Sequence, residues 1–150
     1  MNYLEHIPPL LPYGPSFKFV DQLEEVNEEG ISGLYTFSPE AHWVPDHFPG
    51  NPIVPGVLVT ECMAQIGLVS FGLYLFHQKQ GTWPIGGGIA FTESQVKFWH
   101  PLRPGEGVRV QAQKEYYRLG KLKVSAEMTL LSGQRIAKGV LSGVMNRKAL

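Results

Sequence analysis

The sequence is poor in cysteine, in net charge and in charged side chains altogether. Cys62 is the single cysteine in 150 residues. That excludes a disulfide framework and a four-thiolate zinc site, and it points to a reducing, cytoplasmic setting. Thirteen Lys and Arg balance thirteen Asp and Glu, with an isoelectric point of about 7.0. The chain therefore lacks the basic surplus of a general nucleic-acid binder. At 43% hydrophobic and 17% charged residues, wholesale disorder is excluded too. The opening run Met1-Asn2-Tyr3-Leu4-Glu5-His6 has no basic stretch leading into an apolar one, so no secretory signal is read. The length is that of one ordinary domain, and 1–150 is read as such.

The neutral total conceals an asymmetry. Residues 97–150 hold eleven basic side chains against Glu106, Glu115 and Glu127, a balance of +8, and the first 96 residues carry the opposite −8. The simple reading is that outward charges on strands keep a sheet edge solvated. A basic side able to dock an acidic partner is the functional one.

The long apolar run from Val57 to Phe76 has the length of a bilayer core. It contains Thr60, Glu61, Gln65 and Ser70 and has no flanking Lys/Arg cluster, so a helix buried in protein is expected instead. This helix begins near Gly56 and ends around Gln78 to Gly81. Before it, Val44 to Pro55 contains Pro45, Pro49, Pro52 and Pro55, which excludes regular structure and implies a rigid loop.

Nearer the N-terminus, the prolines between Ile7 and Pro12 rule out a continuous helix. Phe17 to Val20 reads as a strand continuing through Asp21 to Val26. A turn at Asn27-Glu28-Glu29-Gly30 joins it to a second strand, Ile31 to Phe37. Ser38-Pro39-Glu40 reads as a cap opening a short turn or helix. After Gly86 the period becomes two, with strands at Ile89–Trp99, Gly107–Arg118, Lys121–Leu131 and Gln134–Met145. There are no internal repeats. Two strands, one long helix and four strands form an α+β class in which a twisted antiparallel sheet wraps round a central helix. That is the hot-dog arrangement.

Glu61 stands a turn and a half into the apolar helix, where desolvation would raise its pKa and keep it partly protonated. Such a carboxyl can act as a general acid. His47 heads the proline-locked loop, and an imidazole held by rigid backbone alone suits a general base. His6, His77 and His100 read as surface residues, and His42 lacks the proline lock. Gly56 and Val57 offer unpaired N–H groups at the positive end of the helix, suited to polarising a carbonyl. No metal set and no serine or cysteine nucleophile accompanies them. Proton abstraction beside a carbonyl, coupled to protonation of a leaving group, fits this equipment.

The run His47-Phe48-Pro49-Gly50-x-Pro52-x-x-Pro55-Gly56-Val57-Leu58-x-x-Glu61-x-Met63-Ala64-Gln65 resembles the (3R)-hydroxyacyl-acyl carrier protein dehydratases of the FabZ type. Leu11 to Asp21 and Lys97 to Glu106 are similar to two further stretches of that family. The resemblance implies a cofactor-free dehydration in which His47 removes the C2 proton and Glu61, directly or through a water, protonates the departing C3 hydroxyl. It implies that Gly56 polarises the thioester carbonyl, with Gln65 in a supporting role behind the carboxylate. It further implies an acyl carrier protein as partner. Because such sites take His and Glu from different subunits, it also implies an obligate double hot-dog dimer, a higher homo-oligomer or a heterodimer with a paralogue.

Four positions depart from the family pattern, which usually has His at Tyr13, arginines at Trp99-His100 and Ala at Cys62. Cys62 is expected to be a small core residue. Trp43, Trp83, Trp99, Tyr74 and Phe76 are expected to fill core, with shaping of an acyl tunnel as the alternative. Two other functions stay open: a hot-dog acyl thioesterase, and a non-catalytic acyl-binding module.

Overall fold

The computed structural model describes residues 1–86 and 88–145. Among them a short helix α1 (Tyr3–His6) and two hairpin strands, β1 (Gln22–Val26) and β2 (Gly30–Thr36), precede the long helix α2 (Gly56–Gln80). Four longer strands follow: β3 (Ile89–Phe98), β4 (Gly107–Arg118), β5 (Lys121–Leu130) and β6 (Arg135–Met145). All pair antiparallel in the order β1-β2-β4-β5-β6-β3.

The alternation expected after Gly86 places Val108, Val110 and Ala112 of β4, with Leu122, Val124, Ala126 and Met128 of β5, on the buried face. Against it lies α2, whose Met63, Ile66, Leu68, Phe71 and Leu73 are all buried. Each such side chain contributes about 1.5–3 kcal/mol of burial free energy, so the wrapping of sheet round helix is the main source of cohesion. The apolar run long enough to span a membrane is thus the core of this fold. Near the middle of the helix, Gly67 faces Ala112 and Ala126, which are direct partners across β4 and β5. A Cβ on Gly67 would lie 2.9 Å from that of Ala112. Around this contact, from Gln65 to Ser70, α2 widens to π geometry. Bulges of this kind gather at functional sites.

Several local expectations need correction. Phe17 to Val20 is not strand: Pro15–Phe17 forms a 3-10 turn and pairing starts at Gln22. Ser38-Pro39-Glu40 makes a turn, with Glu40 N–H donating to Ser38 Oγ at 3.0 Å, but opens no helix. The pairing partner of β3, on which the strand pattern is silent, is β6, which puts β3 at the far edge of the sheet. The hairpin turn between β4 and β5 has Leu119 and Gly120 at φ 50 and 76, both positive as a two-residue type I′ turn requires.

Charge separation along the chain is partly closed in space. Arg109 on β4 makes a forked pair with Glu24 on β1, at 2.7 and 3.1 Å. Lys123 meets Glu115 and Arg135 meets Glu127 on the outer face. Trp99 is 53% exposed with Arg135 over its ring, contrary to the expected core role. Tyr74 is buried as expected, and Trp43 and Trp83 pack against the core. His77 is not simply a surface residue: its Nδ1 contacts Tyr3 Oη at 3.1 Å and its ring stacks on Trp83.

Candidate active site

The proline loop is tied down by hydrogen bonds as well as by its prolines. Phe48 and Asn51 exchange backbone bonds, and Val54 N–H donates to Leu102 O at 2.8 Å. Arg103 Nη1 donates to Asn51 Oδ1 at 2.8 Å, clamping the loop from the β3–β4 connection. At its head, Ile53 N–H donates to His47 O, and His47 Nδ1 lies 2.8 Å from Ile53 O. A carbonyl oxygen can only accept, so Nδ1 is a donor, and in the neutral ring Nε2 is the nitrogen left with the lone pair. The ring also stacks on Phe48 with centroids 4.2 Å apart. More than rigid backbone holds His47. The structure adds a dedicated partner, and with it the tautomer.

Helix α2 begins directly after Pro55. Leu58 and Val59 N–H both donate to Pro55 O, whereas among the described residues no hydrogen bond engages the N–H of Gly56 or Val57. Both residues are exposed, Val57 at 77%. The positive end of a 25-residue helix is therefore open to a ligand oxygen. The Phe98 ring lies against Gly56, 3.2 Å from where a Cβ would stand.

Glu61, one turn further along, is half-buried. Burial pushes its carboxyl above the usual carboxylate range, opposed by a hydrogen bond from Gln65 Nε2 to Oε1 at 3.1 Å. Gln65, fully buried, also accepts from Phe19 N–H at 2.7 Å and donates to Phe17 O at 2.9 Å. Its amide thus pairs with the chain at Phe17 and Phe19 much as a neighbouring strand would. This accounts for the missing strand there. Next to Glu61, Cys62 is sealed in the core with its Sγ donating to Phe19 O at 3.4 Å. Burial, with Asp21 and Glu61 adding to it, pushes its thiol far up, so it is packing and not a nucleophile.

The structure therefore joins Glu61 to Gln65 but not to His47. Among the described residues no hydrogen bond links the imidazole and the carboxyl. Two contributors escaped the reading of the sequence. The Phe17 and Phe19 backbone holds Gln65, and no local pattern announces it. Tyr13 is close enough to Glu61 that the carboxylate, secondary to burial, raises the phenol. Among the described residues no group of three His, Cys, Asp or Glu side chains is placed to hold a metal.

A loop imidazole with a free Nε2, a carboxyl one turn into the central helix and an open helix end lie within a stretch matched by the family model described as FabA-like domain, residues 11–139. The chain belongs to the FabA-like family. The 3-hydroxyacyl-[acyl-carrier-protein] dehydratase FabZ of Caldicellulosiruptor saccharolyticus is 31% identical over 137 residues, 88% of this chain and 90% of that one. Its counterpart in Chloroflexus aggregans is 33% identical over 132 residues, 87% of each. Among solved structures, a chain of the dehydratase heterocomplex ApeI:P from Xenorhabdus doucetiae superposes with a TM-score of 0.78. That match spans 95% of this chain and 92% of the other at 14% identity, so it bears on fold alone. The FabA-like assignment rests on the sequence matches, and the hot-dog fold on both.

Proposed function

We propose that this chain is a 3-hydroxyacyl-acyl carrier protein dehydratase, eliminating water from a (3R)-3-hydroxyacyl thioester to give the trans-2-enoyl thioester. The observation that carries the reading is a complementary pair of side chains. The Ile53 carbonyl orients His47 so that Nε2 of the neutral ring is the proton acceptor, and burial biases Glu61 toward the protonated form that donates. The FabZ relatives carry this activity in their names and align over nearly the whole chain.

In the proposed reaction His47 Nε2 takes the C2 proton. The C–H electron pair becomes the C2–C3 double bond as the C3–O bond breaks, and Glu61 gives its proton to the departing hydroxyl, releasing water. Gly56 and Val57 N–H groups stabilise the thioester oxygen as negative charge develops there. Proton return from the imidazolium to the carboxylate, through solvent, restores the starting state. No cofactor enters this sequence of steps.

The site is proposed to form between two chains, with His47 of one meeting Glu61 of the other. Two observations support this. No hydrogen bond joins the two residues within the described chain, and β3, at one edge of the sheet, is exposed on both faces except at Ile89 and Val96. A strand so bare, carrying Phe91 and Phe98, is an open template for pairing. The partner on the substrate side is an acyl carrier protein, and the setting is the cytoplasm expected from the lone cysteine.

The test is turnover of a carrier-bound 3-hydroxyacyl thioester, followed by the absorbance of the enoyl thioester, with Glu61→Gln in parallel. A reversible signal lost in the variant supports the proposal. Release of free thiol, or equal turnover in the variant, would overturn it.

A further inference from the structure

We propose that Gln65 is a positioning residue that places the Glu61 proton on Oε2, the oxygen it does not touch, and that the backbone at Phe17 and Phe19 sets this choice. The inference rests on the acid role given to Glu61 above and deepens it. Gln65 has one acceptor and two donor hydrogens on its amide. Phe19 N–H can only donate and Phe17 O can only accept, so the two contacts at 2.7 and 2.9 Å admit one orientation of the amide. Oε1 of Gln65 faces Phe19, and Nε2 faces Phe17.

One hydrogen of Nε2 is then spent on Phe17 O. The other points at Glu61 Oε1, 3.1 Å away. A protonated carboxyl has one carbonyl oxygen and one hydroxyl oxygen, and the carbonyl carries more negative charge. The oxygen that receives the amide hydrogen is therefore the carbonyl, and the proton sits on Oε2. Gln65 itself is completely buried. A flipped amide would set Oε1 against Phe17 O and a donor against Phe19 N–H, leaving buried polar groups unpaired at about 1–3 kcal/mol each. The backbone of a segment more than forty residues upstream thus decides which of two equivalent oxygens is the acid.

The direct readout is infrared, and it does not depend on turnover. A difference spectrum between the protein and Glu61→Gln, taken at a pH where Glu61 is protonated, isolates its C=O stretch. In Gln65→Met that band is expected to move to higher frequency, because the carbonyl loses its hydrogen bond. An unmoved band means that Oε1 was the hydroxyl oxygen, and the proposal fails. Gln65→Leu is the second variant if Met does not fold, and it too withdraws the donor from Oε1 without adding a carboxyl.

In turnover, both variants are expected to lose about tenfold to a hundredfold in kcat with KM little changed, as for a misplaced catalytic group. The basic limb of the pH profile should also move upward, since the hydrogen bond from Gln65 lowers the carboxyl pKa. A packing role alone would lower stability and leave that limb in place, which would overturn the proposal. If the unaltered protein turns over no 3-hydroxyacyl thioester, the dehydratase reading fails while the infrared shift still decides the proton's place.

Discussion

Gly67→Ala is the substitution that best probes how the fold serves the site. The new Cβ would stand 2.9 Å from Ala112 Cβ and 3.8 Å from Ala126 Cβ. Carbon pairs settle at about 3.5–4.0 Å, so α2 must lift from the sheet by roughly 0.6–1 Å at this point. Overpacking of this kind costs about 1–3 kcal/mol. Ala is better than Gly in a helix by about 1 kcal/mol, which offsets part of it. The net is a loss of about 1 kcal/mol, read as a fall in Tm of about 2–4 °C for a chain of this size.

The effect on turnover should be larger. Glu61 lies six residues upstream on the same helix, about 9 Å along its axis, and moves with it. A displacement near 1 Å costs on the order of 100-fold in rate. We expect kcat to fall about tenfold to a hundredfold while most of the protein stays folded at 25 °C. The control is Ala112→Gly in the same chain, which empties the space the new methyl needs. The double variant should recover turnover and show a coupling of about 0.5–3 kcal/mol relative to the two single changes. Wild-type turnover in Gly67→Ala, or strict additivity in the double variant, would refute the argument that this contact sets the height of α2.

Three other outcomes follow from the site. Glu61→Gln should cut turnover by about 10²–10⁴-fold, the usual contribution of a general acid. Because the folded carboxyl has a raised pKa, its stabilising contribution is full below the unfolded pKa and is lost as pH rises through the folded value. The Gln variant should therefore gain Tm relative to the parent at neutral pH and show no gain in acid; a pH-independent difference would contradict this sign. His47→Gln should remove turnover on the same scale with little change in Tm, since the residue sits on an already bonded loop, and loss of folding would refute that separation. Cys62 should resist alkylation in the native protein and react fully in denaturant, being buried with a raised thiol pKa; rapid native labelling would show that the packing around it opens.

Much of this protein is decided by local chemistry that a sequence displays. An apolar run with Glu61 inside it can only be a helix surrounded by protein, and Gly56–Gln80 is that helix. The prolines from Pro45 to Pro55 forbid helix and sheet alike, so His47 had to be on a shaped loop. Turn residues and period-two burial located β4, β5 and β6 to within a residue or so. The i, i+4 spacing of Glu61 and Gln65 put them on one helix face.

What the sequence left undetermined is whatever depends on backbone groups meeting across long separations. Every residue offers the same N–H and C=O, so pairing partners leave no mark in side-chain order. Hence β3 at the edge beside β6 was not legible. Neither was the diversion of Phe17 and Phe19 from strand pairing to the Gln65 amide. The tautomer of His47 was hidden for the same reason, being set by one carbonyl, Ile53 O. Side chains show which chemistry the chain can carry; only the folded backbone brings Ile53 O to His47 and the Phe17 and Phe19 groups to the Gln65 amide.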